Sequence, residues 1–112
     1  MNDKLLSFLG ICLRAKKLVI GADICVQSAQ QGKSRLILYA EDFSANSLKK
    51  VAAAAQQHGV GIMNTHRTKE ELSLALGRLC GVLSVEDEGF AKKLIAMLET
   101  EQGGDLYDKI QG

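Results

Sequence analysis

Three cysteines and two histidines are the first residues to test for a metal centre or a covalent nucleophile: Cys12, Cys25 and Cys80, with His58 and His66. Their spacing suits neither role. The cysteines stand 13 and 55 residues apart and none forms a CxxC pair, whereas structural zinc takes closely spaced ligand pairs and a disulfide framework needs more thiols. They are expected to be small core hydrophobes, with no metal and no cofactor. Ser7 and Ser28 fall in helical stretches, and no GxSxG elbow, GxxxxGK[ST] loop or GxGxxG turn occurs. Gly59-Val60-Gly61 comes nearest, but it leads from helix to strand, the reverse of the order a dinucleotide loop needs. His66 falls at a strand end as a loop histidine. Glu86-Asp87-Glu88 opens a helix, where carboxylates cap free amides and favour the positive dipole end. The chain is therefore not expected to be an enzyme.

One constellation is left. Lys16 and Lys17 precede a short apolar run, Leu18-Val19-Ile20, and Gly21 then opens a helix over about residues 22–31. First-turn amides of a helix have no partner within it, and a small residue at its start lets a phosphate backbone approach. Asp23 puts an acceptor beside that opening, and Gln27 lies one turn further on the same face. Lys33 and Arg35 follow the helix and would broaden the basic surface. Amide and carboxylate groups can read base edges, while cations hold phosphates without reading sequence. Aromatic residues make up 4% of the chain, too few for a base-stacking platform. The net charge of +1 is unevenly spread: residues 1–40 carry six basic and two acidic side chains, a net +4, and residues 41–112 a net −3. Such a molecule offers a basic edge to an acidic partner.

The elements that must position these groups alternate. A helix follows Asp3, a candidate N-cap, with Leu5, Leu6, Phe8, Leu9, Cys12 and Leu13 on one face. Gly32 ends the helix after Gly21. Arg35–Ala40 has apolar residues on both sides and predicts a strand covered on both faces. A helix over about 45–58 carries Leu48, Val51, Ala52 and Ala55, and a strand over 60–64 follows Gly59. Thr68-Lys69-Glu70-Glu71 matches a capping box for a helix that buries Leu72, Ala75 and Leu76, with Leu79 a further candidate. A last strand spans 81–85, and Asp87 caps a final helix carrying Phe90, Leu94, Met97 and Leu98. With 112 residues, 46% apolar and 24% charged, the chain suits one α/β domain: a three-layer α/β/α sandwich around a small mixed sheet of about four strands. The domain is placed at 1–102, and 103–112 at a polar, frayed tail. No long apolar run predicts a membrane span and no leader pattern opens the chain, so a cytoplasmic monomer is expected.

Several stretches resemble one family. Gly21-Ala22-Asp23-Ile24-Cys25-Val26-Gln27, followed by Leu36-Ile37-Leu38-Tyr39-Ala40-Glu41-Asp42, is similar to a glycine-started helix and its "LVLLAED" strand. Thr68-Lys69-Glu70-Glu71-Leu72 with Gly77 is similar to "SKEELGxAxGK". Val85–Leu94 resembles the ending "VTDxGFAxKL", and Leu9-Gly10 with Arg14–Gly21 the opening "LLGLARRAGKLVSG". These belong to the kink-turn-binding ribosomal protein family, the L-seven-Ae/L-thirty-e group, in its bacterial YlxQ-type branch. The resemblance implies an α/β/α fold that binds kink-turns, bent RNA helices with tandem sheared G·A pairs. It also implies that Gly21, Ala22, Asp23, Ile24 and Gln27 enter the distorted groove. Arg78, Leu79, Cys80 and Gly81 would form the loop that covers an extruded nucleotide. Strong binders carry G-x-N-E-x-x-K at that helix; here Asp23, Ile24 and Gln27 stand at the three reading positions, and Ser73 replaces a glycine. A base contact is worth about 1–3 kcal/mol of discrimination, so weaker selectivity is expected. The alternative is a protein-interaction module that keeps the fold without strong RNA binding.

Overall fold

The structure, a computed structural model, describes the backbone of residues 3–111 and the side chains of residues 3–101. Five helices and four strands alternate: α1 (Lys4–Arg14), β1 (Leu18–Ile20), α2 (Ala22–Gln30), β2 (Leu36–Tyr39), α3 (Ala45–Gln57), β3 (Gly61–Asn64), α4 (Lys69–Leu76), β4 (Val82–Val85) and α5 (Glu88–Gln111). The sheet is mixed, in the order β1-β4-β2-β3. β4 runs antiparallel to both β1 and β2, and β2 runs parallel to β3. Alternation along the strands divides the core into two layers. Leu36, Leu38, Leu83 and Val85 face α1, α4 and α5, where they meet Leu5, Leu9, Leu72, Leu94 and Leu98. Ile37 and Val82 face α2 and α3, where they meet Cys25, Val51 and Ala55. The three-layer sandwich expected from the alternating pattern is the observed fold.

The helix starts follow their sequence signals. Asp3 accepts from the Leu6 amide at 3.1 Å, and Asp87 accepts from the Phe90 amide at 2.8 Å. The Thr68 hydroxyl accepts from the Glu71 amide while the Glu71 carboxylate accepts from the Thr68 amide, closing the capping box. All three cysteines are free and buried; burial pushes the Cys12 and Cys80 thiols up to about 11 and Cys25 to about 12. They are protonated at neutral pH and pack as core residues.

Two expectations change. Leu79 is not buried by α4: the helix stops at Leu76 because Gly77 turns left-handed (φ 70°), and Leu79 projects from the following loop with 87% of its surface exposed. Ala75 is exposed as well. At the other end, the backbone of α5 is helical through Gln111. Leu106 and Ile110, four apart, give that stretch a helical spacing across the Gly103-Gly104 pair; its side chains lie outside the described residues.

Helix ends supply a sharper detail. α1, α2 and α3 each close with paired amide bonds back to the last turn, and each passes through a left-handed residue. After α2 and α3 that residue is Gly32 (φ 73°) and Gly59 (φ 67°); after α1 it is Lys16 (φ 61°). A side chain in this conformation costs on the order of 1 kcal/mol relative to glycine.

Arg67 holds the termini. Its guanidinium donates to both carboxylate oxygens of Asp3 at 3.0 Å and to both of Glu101 at 2.8 Å, so the starts of α1 and α4 and the helix α5 are tied together. Arg67 holds Asp3 and Glu101 below their ordinary 3.8 and 4.5. Their stabilisation is therefore present above those values and lost as pH falls through the lowered folded ones. Arg67→Ala is expected to cost about 1–2 kcal/mol at pH 7. Urea unfolding at neutral pH and at about pH 3 should show the gap between wild type and variant narrowing in acid.

Candidate functional site

Strand directions decide which groups meet. β1 enters at the end of β4 marked by Val85 and leaves at the end marked by Val82, because Leu18 pairs with Val85 and Ile20 with Leu83. Gly21 therefore sits at the Val82 end, its amide donating to the Val82 carbonyl at 3.0 Å. The loop before β4, Gly77–Gly81, necessarily arrives at the same place. So does the end of β2, whose Ala40 amide donates to Gly81 at 2.9 Å. The structure thus brings together the glycine-started helix and the Gly77–Gly81 loop, two segments separated by more than fifty positions.

Gly21 has φ 121° and ψ 149° and makes no side-chain cap. Nothing lies within 4 Å of where its Cβ would be, so the demand for glycine is conformational rather than steric. The first intrahelical bond runs from the Cys25 amide to the Gly21 carbonyl. Ala22, Asp23 and Ile24 consequently present amides without helical acceptors. Asp23, Ile24 and Gln27 are exposed, and Ala22 is half-buried. α3 opens at the same end, from Ser44, likewise without a side-chain cap. That second open start was missed in the sequence; the signal was available, since a helix leaving β2 must begin where β2 ends.

The Gly77–Gly81 loop is anchored by the residue between its exposed members and Gly81. Cys80 is buried, and its amide donates to the Ser73 hydroxyl at 2.9 Å. Cys80 is therefore an anchor of the loop, and the surface it offers is that of Arg78 and Leu79. Gly81 packs so that a Cβ would lie 3.0 Å from the Phe43 ring. Ser73, the departure from the family's glycine, supplies the hydroxyl that holds this loop.

The basic residues go elsewhere. Lys16 and Lys17 lie before β1, and the Lys17 carbonyl accepts from the Glu86 amide at 2.8 Å. Lys33 and Arg35 lie before β2, and the Arg35 amide donates to the Val85 carbonyl at 2.8 Å. All four are exposed at the Val85 end. They do not broaden the surface around Gly21, because β1 carries the chain about 13 Å from Lys17 to Gly21 at roughly 3.3 Å per residue. At the Val82 end the charge is mixed: Arg78 and Lys69 stand with Asp23, Glu41 and Asp42, and Asp42 accepts the Lys69 amide at 2.8 Å. Among the described residues no group of His, Cys, Asp and Glu side chains is placed to hold a metal ion. None of the helices is long and apolar enough to cross a membrane among those residues.

Known proteins are similar to this chain in sequence and fold. The model of the "Ribosomal protein L7Ae/L30e/S12e/Gadd45 family" matches residues 3–95. The chain is 35% identical over 96 residues to a Bacillus subtilis (strain 168) protein named RNA-binding protein YlxQ, covering 81% of this chain and 91% of that one. It is 27% identical over 98 residues to the Enterococcus faecium protein of the same name, covering 88% and 94%. Among solved structures, a Bacillus halodurans protein of unknown function superposes with a TM-score of 0.82 at 27% identity, over 88% of this chain and 99% of that one. A Giardia lamblia 15.5kD RNA binding protein, at 19% identity and TM-score 0.68 over 89% and 92%, shares the fold.

The loop anchor is open to a direct check. Ser73→Ala leaves the buried Cys80 amide without its acceptor, and is expected to cost about 1–2 kcal/mol. Native-state hydrogen exchange should show the Cys80 amide exchanging faster while Leu83 and Val85 in β4 stay protected.

Proposed function

The chain belongs to the ribosomal protein L7Ae/L30e/S12e/Gadd45 family, and on that premise we propose that it is a non-enzymatic RNA-binding protein of the cytoplasm, acting as a monomer on structured RNA of the kink-turn kind. The observation that carries the reading is the meeting of the uncapped α2 start with the Gly77–Gly81 loop at one end of the sheet. In this reading the free amides of Ala22, Asp23 and Ile24 donate to a phosphate oxygen or to an acceptor on a base edge. Gln27 and Asp23 offer hydrogen-bonding groups from the same face of α2. The loop's exposed Arg78 and Leu79 cover a nucleotide turned out of the stack, while Cys80 and Gly81 fix the loop against the core. The names of the Bacillus subtilis and Enterococcus faecium relatives support RNA as the partner. RNA of the ribosome itself is one source of such structured helices.

Asp23, Ile24 and Gln27 alter the reading positions, so discrimination rests on fewer polar contacts than in the family's strong binders. A kink-turn duplex should still bind more tightly than the same duplex with its G·A pairs replaced, and affinity for both should fall with salt. Gln27→Ala should shrink the ratio between the two duplexes, by roughly five- to a hundredfold, given about 1–3 kcal/mol for a good base contact. Equal affinity for both duplexes would remove the kink-turn component. A flat salt dependence with weak binding would remove RNA altogether. That outcome would favour a second reading, a protein-interaction module, to which the mixed charge at the Val82 end and the exposed Ile24 are also suited.

A further inference from the structure

We propose that the Val85 end is a second RNA surface, on which Lys16, Lys17, Lys33 and Arg35 hold the phosphate backbone of a duplex arm flanking the segment bound at the Val82 end. This rests on the RNA reading above and adds to it a separate, sequence-independent contact.

Four observations converge. First, two different chain turns deliver cations to one end. Lys16 and Lys17 come off the close of α1, and Lys33 and Arg35 come off the close of α2. All four are exposed, and the ion pairs of Arg67 with Asp3 and Glu101 lie at the opposite end. One nitrogen of Arg35 donates to the Gly32 carbonyl at 3.2 Å; that bond braces the guanidinium and leaves its remaining donors for a ligand.

Second, Lys16 occupies a left-handed position that the same chain fills with glycine at Gly32, Gly59 and Gly77. A cation near a helix C-terminus favours the helix dipole, but Arg14 in the last turn and Lys17 after it already supply that. Lys16 and His66 are the non-glycine residues with left-handed φ among the described residues, and at Lys16 the retained side chain is a cation.

Third, the four cations at this end outnumber the neighbouring carboxylates, Glu86, Asp87 and Glu88. Glu86 takes the Ser28 hydroxyl at 2.6 Å and Asp87 takes the Phe90 amide at 2.8 Å; Glu88 is exposed. Fourth, the Val82 end has carboxylates to match its cations, so an electrostatic attraction for phosphates has to come from elsewhere on the molecule. The separation of about 13 Å corresponds to about four base pairs at 3.4 Å each, within the length of an ordinary duplex arm.

The test is a set of variants titrated against a kink-turn duplex and its G·A-replaced control. Lys16→Gly, Lys17→Ala and Lys33→Ala should each weaken binding to both duplexes by the same factor, about three- to tenfold at low salt. Each should reduce the salt slope by about one. Lys16→Gly should at the same time melt a few degrees higher than wild type, so that its lost affinity is not lost folding. With the arms trimmed one at a time to about three base pairs, the difference between wild type and variants should vanish for one arm. Unchanged affinity in all three variants, or a loss that persists with either arm trimmed, would overturn the second surface while leaving the RNA reading standing. If wild type itself shows no salt-dependent binding, the RNA reading fails first and this surface falls with it.

Discussion

The fold turns on β4 being paired antiparallel on both sides, with β1 at one edge and β2 at the other. A central strand opposed to both neighbours forces every helix that follows β1, β2 or β3 to begin at one end of the sheet, because β3 runs with β2. α2, α3 and α4 accordingly start at the Val82 end, and α5 alone starts at the Val85 end. β4 itself is buried along its whole length, Val82 through Val85. Its single polar residue, Ser84, is satisfied within the layer facing α2: its hydroxyl lies 2.9 Å from that of Ser28 and 2.7 Å from that of Ser34. A buried hydroxyl without a partner would cost about 1–3 kcal/mol at the most constrained strand, so this chain of serines belongs to the same constraint.

Helix direction then sets the electrostatics of both ends. Positive dipole ends gather at the Val82 end, and carboxylates answer them: Asp3 caps α1, Glu71 completes the box of α4, and Asp42 takes the Lys69 amide. Negative dipole ends gather at the Val85 end, and Lys16, Lys17 and Lys33 follow the closes of α1 and α2. Charge placement alone would thus be explained by helix stabilisation. Two features exceed that explanation. α2 and α3 are left without side-chain caps where their neighbours are capped, and Lys16 is kept at a position that glycine would fill more comfortably.

Most of the fold was legible in the sequence because its signals are local. Asp3, the Thr68–Glu71 box, Gly32 and Gly59 each mark an element boundary within a few residues of the observed one. The unbroken apolar run at Leu36–Leu38 likewise marks a strand covered on both faces. The candidate site was legible only in pieces. Which residues share an end depends on strand pairing, and nothing between Lys16 and Arg35 announces that β1 and β2 both run against β4. Lys16, Lys17, Lys33 and Arg35 are close to Gly21 in sequence and far from it across the sheet; Arg78 and Leu79 are far in sequence and share its end. Arg67 escaped notice for the same reason, since its partners Asp3 and Glu101 are 64 and 34 residues away.

Two aliphatic residues sharpen the character of the Val82 end. Ile24 and Leu79 are 45% and 87% exposed, among the few large hydrophobics that the fold leaves in solvent. Ile24 lies on the outer side of the first turn of α2, whose inner side is taken by Cys25 and Ala22 against the core. Leu79 is held out because Gly77 ends α4 and Cys80 is drawn into the core on either side of it. Open amides with exposed aliphatic side chains and balanced charge suit contact with the edge and face of an unstacked base, where burying apolar surface contributes about 25 cal/mol per Å². They suit a phosphate track poorly. On one small domain the exposed aliphatic surface and the excess of cations thereby fall at opposite ends of the same short sheet.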